Sequence, residues 1–200
     1  MSQNANRRDA ILKAARALFA TQGFQATTLE DVIAKTGGSR RNIYALFGDK
    51  DGLVQAVLMS IAEEVMQSFG ELPSDEEDAR VWLIAMGETY LGTFTKHDVI
   101  GMLRQIIFLA SENPQIGIGA YANGPAVLRE RIARFFDKKI EQGDLSLDSS
   151  EDAARMFMGM VAGDYILKLL MTGGATVTKE EISSHVTSTV DIFLEGASHS

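Results

Sequence analysis

The chain has 200 residues, 46% of them hydrophobic, with three prolines and no cysteine. That composition supports a folded, largely helical protein of one or two domains. It excludes disulfide frameworks, cysteine-ligated zinc, iron–sulfur clusters and thiol redox sensing. The formal net charge of −8 argues against nucleic acid until it is divided along the chain. Residues 1–55 carry eight Lys/Arg against five Asp/Glu, a net +3, and the rest carry eleven against twenty-two, a net −11. An acidic body with a basic head meets a polyanion head-first.

Taken in order, the opening MSQNANRRDA has no apolar stretch of the kind a signal peptide needs. A first helix is expected over 7–21, with Ile11, Ala14, Ala15, Leu18 and Phe19 on one face. Gly23 ends it, and Phe24 can fold back as a hydrophobic plug. Residues 28–35 form a second helix: Thr27-Thr28 followed by Glu30 and Asp31 has the hydroxyl-then-acid spacing of a capping box. Leu29, Val32 and Ile33 mark its buried side. Gly37 can end that helix, and Ser39 stands where a third would be capped. Two short helices joined by a tight glycine turn are the pattern of a helix-turn-helix.

At about 100° per residue, Ser39, Ile43, Leu46 and Phe47 share the inward face of the third helix. Arg41 lies opposite, beside Tyr44 and Ala45, with Arg40 and Asn42 on the shoulders. Arg suits the guanine edge, Asn suits adenine, and Tyr or Lys suits phosphate. Asp49 caps a fourth helix over 49–69. Lys50 opposes the dipole of its first turn, which makes sense if it reaches a phosphate.

Residues 7–55 resemble the TetR family of transcriptional regulators. The resemblance rests on the Arg7-Arg8 to Phe19 helix, Gly23-Phe24, Thr27-Thr28, Ile33-Ala34, Gly37, Ser39, Tyr44, Phe47, Lys50 and Leu53. Two positions depart from the family. Gly38 replaces the apolar residue usual before the serine, which is expected to loosen the turn. Arg41 stands where many members have a small residue. The resemblance implies an all-α chain of about nine helices. A three-helix DNA-binding domain would fill 1–50, and a helical effector-binding and dimerisation domain 51–200. The expected DNA-facing residues are Thr28, Ser39, Arg40, Arg41, Asn42, Tyr44 and Lys50.

In the body, Leu72-Pro73 breaks the chain, and Ser74 with Glu77 makes a second capping box. Helices are expected over 75–96, 98–109, 125–141 and 149–171, with a Gly- and Pro-rich flexible connection at 111–125. Thr178 and Glu181 form a third capping box that opens the last helix. Gly159 and Gly163, four apart, suggest close approach by another helix. The family pairs its last two helices with their copies, so Gly159, Gly163, Val186, Val190 and Phe193 are expected at a homodimer interface.

Trp82, Met86, Tyr90, Phe94, Met102, Ile106, Met156 and Met160 form a Met- and aromatic-rich set. In a TetR-like body they imply an apolar effector cavity, with Glu88, Arg104, Gln105 and Asp164 as polar candidates. The apolar run 156–171 is interrupted by Asp164 and Lys168 and is short for a membrane span. The expected protein is cytoplasmic, with no membrane partner, cofactor, metal or catalytic residues. The sequence lacks a paired-histidine site, a phosphate-cradling glycine loop and a nucleophile elbow, and His185 has no evident partner. The expected partners are a double-stranded DNA operator and a small apolar effector. A helical carrier or interaction protein of the same fold is the alternative, which a DNA-binding assay separates.

Overall fold

The structure, a computed structural model, describes residues 3–69, 78–173 and 177–197. Eleven α-helices follow one another there: α1 (Gln3–Gln22), α2 (Leu29–Thr36), α3 (Arg40–Phe47), α4 (Lys50–Ser68), α5 (Ala79–Phe94), α6 (His97–Glu112), α7 (Pro114–Asn123), α8 (Pro125–Glu141), α9 (Ser150–Ala162), α10 (Tyr165–Thr172) and α11 (Lys179–Ala197). No strand occurs among the described residues, in keeping with an all-α fold. The Leu72-Pro73 break and the Ser74/Glu77 box lie outside the described residues.

Two compact units result: Met1–Glu64 with Gly101–Ala120, and Val65–Ile100 with Tyr121–Ser200. They do not follow a single boundary at residue 50. α4 runs on past that point, and the division falls inside it. The first unit also takes in much of α6 and α7. Leu109 and Ile116 are buried with Val54, and Phe19, Phe24 and Leu58 pack against them.

In the first unit, Ile11, Ala15, Leu18, Val32, Ile43 and Leu53 are buried. Each such aliphatic side chain larger than alanine contributes about 1.5–3 kcal/mol by leaving water. Phe24 does fold back: its ring meets Phe19 edge-on at 5.6 Å. α2 has its capping box. Asp31 N–H donates to Thr28 Oγ1 at 3.2 Å, and Thr28 N–H donates to Asp31 Oδ2 at 2.8 Å.

In the second unit, α8 packs on α9 and α11 packs on α5. Trp82 stacks on Phe135 with ring centroids 3.8 Å apart. Phe136, Phe157 and Phe193 extend this aromatic core. Gly87 is where the backbones come close: a Cβ there would lie 2.7 Å from Val186 Cγ1. Arg80 bridges α5 to α11, donating from Nε to Asp191 Oδ1 at 2.7 Å. The Thr178–Glu181 box opens α11, with Glu181 N–H donating to Thr178 Oγ1 at 3.1 Å.

Two expectations about elements fail. The supposed connection at 111–125 contains α7. Asn113 Oδ1 accepts from Gln115 N–H at 3.2 Å, and Pro114 takes the first helical position, where its missing N–H costs nothing. The single helix expected over 149–171 is two. Gly163, at φ +50°, ends α9, and α10 restarts at Tyr165.

Candidate nucleic-acid interface

α2 closes where Gly37 N–H donates to Ile33 O at 2.7 Å. Gly37 and Gly38 have φ of +70° and +97°, which suits glycine. Arg7, on α1, reaches into this turn and donates from Nη2 to Gly37 O at 2.9 Å. A Cβ on residue 38 would lie 1.8 Å from that Nη2. The turn is therefore not loosened by losing an apolar side chain, because the guanidinium occupies the space. Ser39 holds the N-cap position of α3 in extended backbone, but its hydroxyl makes no capping hydrogen bond.

α3 buries Ile43 and half-buries Leu46 and Phe47. Arg8 lies over the Phe47 ring at 5.7 Å. Arg40, Arg41, Asn42 and Tyr44 are exposed, Tyr44 by 50%. The face expected to meet DNA is thus open.

The two arginines differ. Arg40 is ion-paired with Glu30 of α2. The hydrogen bond from Arg40 holds the Glu30 carboxyl below the usual glutamate range, and the same contact raises Arg40. Arg41 has no ion-pair partner among the described residues. The exposed Thr28 hydroxyl donates to Asp31 Oδ2 at 2.8 Å. Lys50 is held from within. Its Nζ donates to Gln25 O at 3.2 Å and lies 4.5 Å above the Phe24 ring centroid. Asp49 Oδ1 accepts from Gly52 N–H at 2.7 Å, the cap expected for α4. Sequence reasoning placed Arg7 and Glu30 in this region but missed the contact of Arg7 with the turn and the pairing of Glu30 with Arg40. The double glycine hinted at the first; no spacing rule reveals the second.

The body residues separate. Trp82, Met86 and Phe94 are buried on α5, and Tyr90 meets Phe94 at 4.9 Å. Burial pushes the Tyr90 hydroxyl pKa up, keeping the phenol neutral. Trp82 Nε1 is buried with no hydrogen-bond partner among the described residues. Met102 and Ile106 are half-buried on the part of α6 that belongs to the first unit. Met160 is half-buried, whereas Met156 is 65% exposed. A cleft of about 570 Å³ lies between α5 and α11, with Glu88, Gly92, Lys179 and Ile182 in its wall.

The interface expectations change likewise. Val186 and Val190 are fully buried in the protomer, and Phe193 stacks on Phe136 at 5.4 Å. Val186 and Val190 have no free surface to give a second copy, because α11 turns that side to α5. Gly159 and Gly163 are exposed, as are Leu167, Met171 and Ile192. Gly159 has open space where a Cβ would stand, so no described residue of the protomer approaches it closely. His185 is partnered: its Nε2 lies 3.2 Å from Met160 O and 3.1 Å from Val161 O, at the end of α9.

Residues 11–57 match the family model described as bacterial regulatory proteins, tetR family. Residues 82–196 match that of the AefR-like transcriptional repressor, C-terminal domain. The chain is 24% identical over 185 residues to the HTH-type transcriptional repressor AcnR of Corynebacterium glutamicum, covering 92% of this chain and 93% of that one. A putative TetR-family regulator from Mesorhizobium loti superposes with a TM-score of 0.89 at 24% identity, covering 98% of each chain. The flavonoid-responsive regulator FrrA superposes with a TM-score of 0.82 at 24% identity, covering 98% of this chain and 100% of its own. With both halves matched and the helix-turn-helix in place, the chain belongs to the TetR family of transcriptional regulators.

Proposed function

We propose that the protein is a repressor that grips a pseudo-palindromic operator as a homodimer and releases it when a small apolar effector binds. The observation that carries this reading is the exposed face of α3, where Arg41, Asn42 and Tyr44 surround the buried anchor Ile43. Two copies held at a fixed distance would set two such helices into successive major grooves. DNA as partner implies work in the cytoplasm.

Pairing of copies is supported by apolar surface on the last helices. Met156, Leu167, Met171 and Ile192 are all more than half exposed. Effector binding is supported by the α5 set Trp82, Met86, Tyr90 and Phe94, in which the Trp82 N–H awaits an acceptor. FrrA, of the same fold, is named for its response to a flavonoid, and an apolar, hydrogen-bond-accepting effector suits the α5 set. A ligand that prefers the head spacing mismatched to the grooves shifts the population off DNA.

Gel shifts on an operator selected from genomic fragments test the reading. Arg41→Ala should weaken specific binding by about 1–3 kcal/mol. Tyr44→Ala should weaken binding to all duplexes alike. Unchanged affinity in both variants sinks the assignment.

A further inference from the structure

We infer that Phe24 is a positioning residue for operator binding, holding Lys50 ready for a phosphate and tying that lysine to α6 and α7. The inference rests on the proposed reading in which Lys50 contacts the DNA backbone. Lys50 is the first residue of α4, where the helix dipole disfavours a cation. Among the described residues no carboxylate pairs with it. It is held instead by two consecutive residues between α1 and α2, the Gln25 carbonyl at 3.2 Å and the face of Phe24 at 4.5 Å. That distance lies within the range of a cation–π contact.

An ammonium has three donors, and Gln25 uses one. The ring and the carbonyl therefore restrain a flexible four-carbon stem while leaving donors for an incoming oxygen. A group fixed before binding loses less freedom on binding.

The ring has other contacts. Phe24 meets Phe19 edge-on at 5.6 Å and packs against the buried cluster of Val54, Leu109 and Ile116. Leu109 lies on α6 and Ile116 on α7. A shift of either helix against this cluster moves the ring, and the ring carries the ammonium with it. The plain alternative is that Phe24 only fills space. The two differ in whether losing the ring face acts through Lys50.

Fluorescence anisotropy on the selected operator, repeated over a salt series, decides. Lys50→Gln sets the scale: affinity falls, and the slope of log affinity against log salt drops by about 0.9, one phosphate contact. Phe24→Leu keeps apolar volume but removes the face. It should cost roughly three- to tenfold in affinity, the span of a modest cation–π contact, with the same loss of slope. The double variant should bind as Lys50→Gln does, and Phe24→Tyr should bind as the parent does.

A parental salt slope in Phe24→Leu, or additive losses in the double variant, overturns the inference. If Lys50→Gln itself changes nothing, the phosphate role of Lys50 falls first and this inference falls with it. One measurement needs no variant of Phe24. Proton NMR of the free protein should place the Lys50 ε-methylene signals upfield of ordinary lysine, assigned by their loss in Lys50→Gln, and unshifted signals also overturn the inference.

Discussion

Gly38 and Arg7 have no adjacency in sequence, yet each explains the other. At φ +97° an L side chain is strained, and Arg7 Nη2 already occupies the Cβ position. Gly38→Ala should destabilise the protein by about 1–3 kcal/mol in urea unfolding. In an Arg7→Ala background the steric part vanishes, and the cost of Gly38→Ala should shrink. The carboxylates of Glu30, Asp31, Glu181 and Asp191 are all held low by hydrogen bonds from Arg40, Thr28, Thr178 and Arg80. A lowered native pKa means stability that is complete above the ordinary values of 4.5 and 3.8 and is lost as pH falls through the lower native ones. Melting temperature should thus hardly vary with pH around neutrality on account of these groups and should decline in acid, and Glu30→Gln should flatten part of that decline. Asp31 and Glu181 were legible in sequence because a capping box has a fixed spacing. Glu30–Arg40 and Arg80–Asp191 were not, because each joins two helices whose approach no local pattern encodes.

Element by element, the helix-turn-helix was the easiest part to see, since caps, glycines and apolar spacing all act within a few residues. α7 was missed because glycine and proline were counted as breakers, although Asn113-Pro114 is a start signal for a helix. Ile116 then holds that helix in the first unit's core. Ile116→Ala should cost about 2–4 kcal/mol by thermal or urea unfolding, the cost of a large-to-small change in a packed core. The break between α9 and α10 was missed because Gly159 and Gly163 looked alike. Only the second has a positive φ, with His185 bound to the carbonyls just before it. Close approach fell instead to Gly87, whose importance depends on where Val186 comes to lie across from it. The valines of α11 could belong to either of two faces until α5 decided between them.

For the whole molecule, charge and apolar surface pull in one direction. The +3 charge of residues 1–55 and the −11 of the rest fit the proposed head-first approach to DNA, and the exposed Met156, Leu167, Met171 and Ile192 fit the proposed pairing of two copies. Leu167→Glu together with Met171→Glu should leave melting nearly unchanged, because both side chains are exposed in the protomer. Sedimentation equilibrium should report a monomer, and operator affinity should collapse toward that of a half-site. A dimer persisting in this variant moves the interface elsewhere. Arg7 also bears on where the head begins. It stands upstream of residue 11, the first position matched by the N-terminal family model. Trimming the chain to its recognisable region would discard the wedge and leave a notch above the double glycine. A fragment begun at residue 11 would lack the Arg7 hydrogen bond to Gly37 that spans this turn.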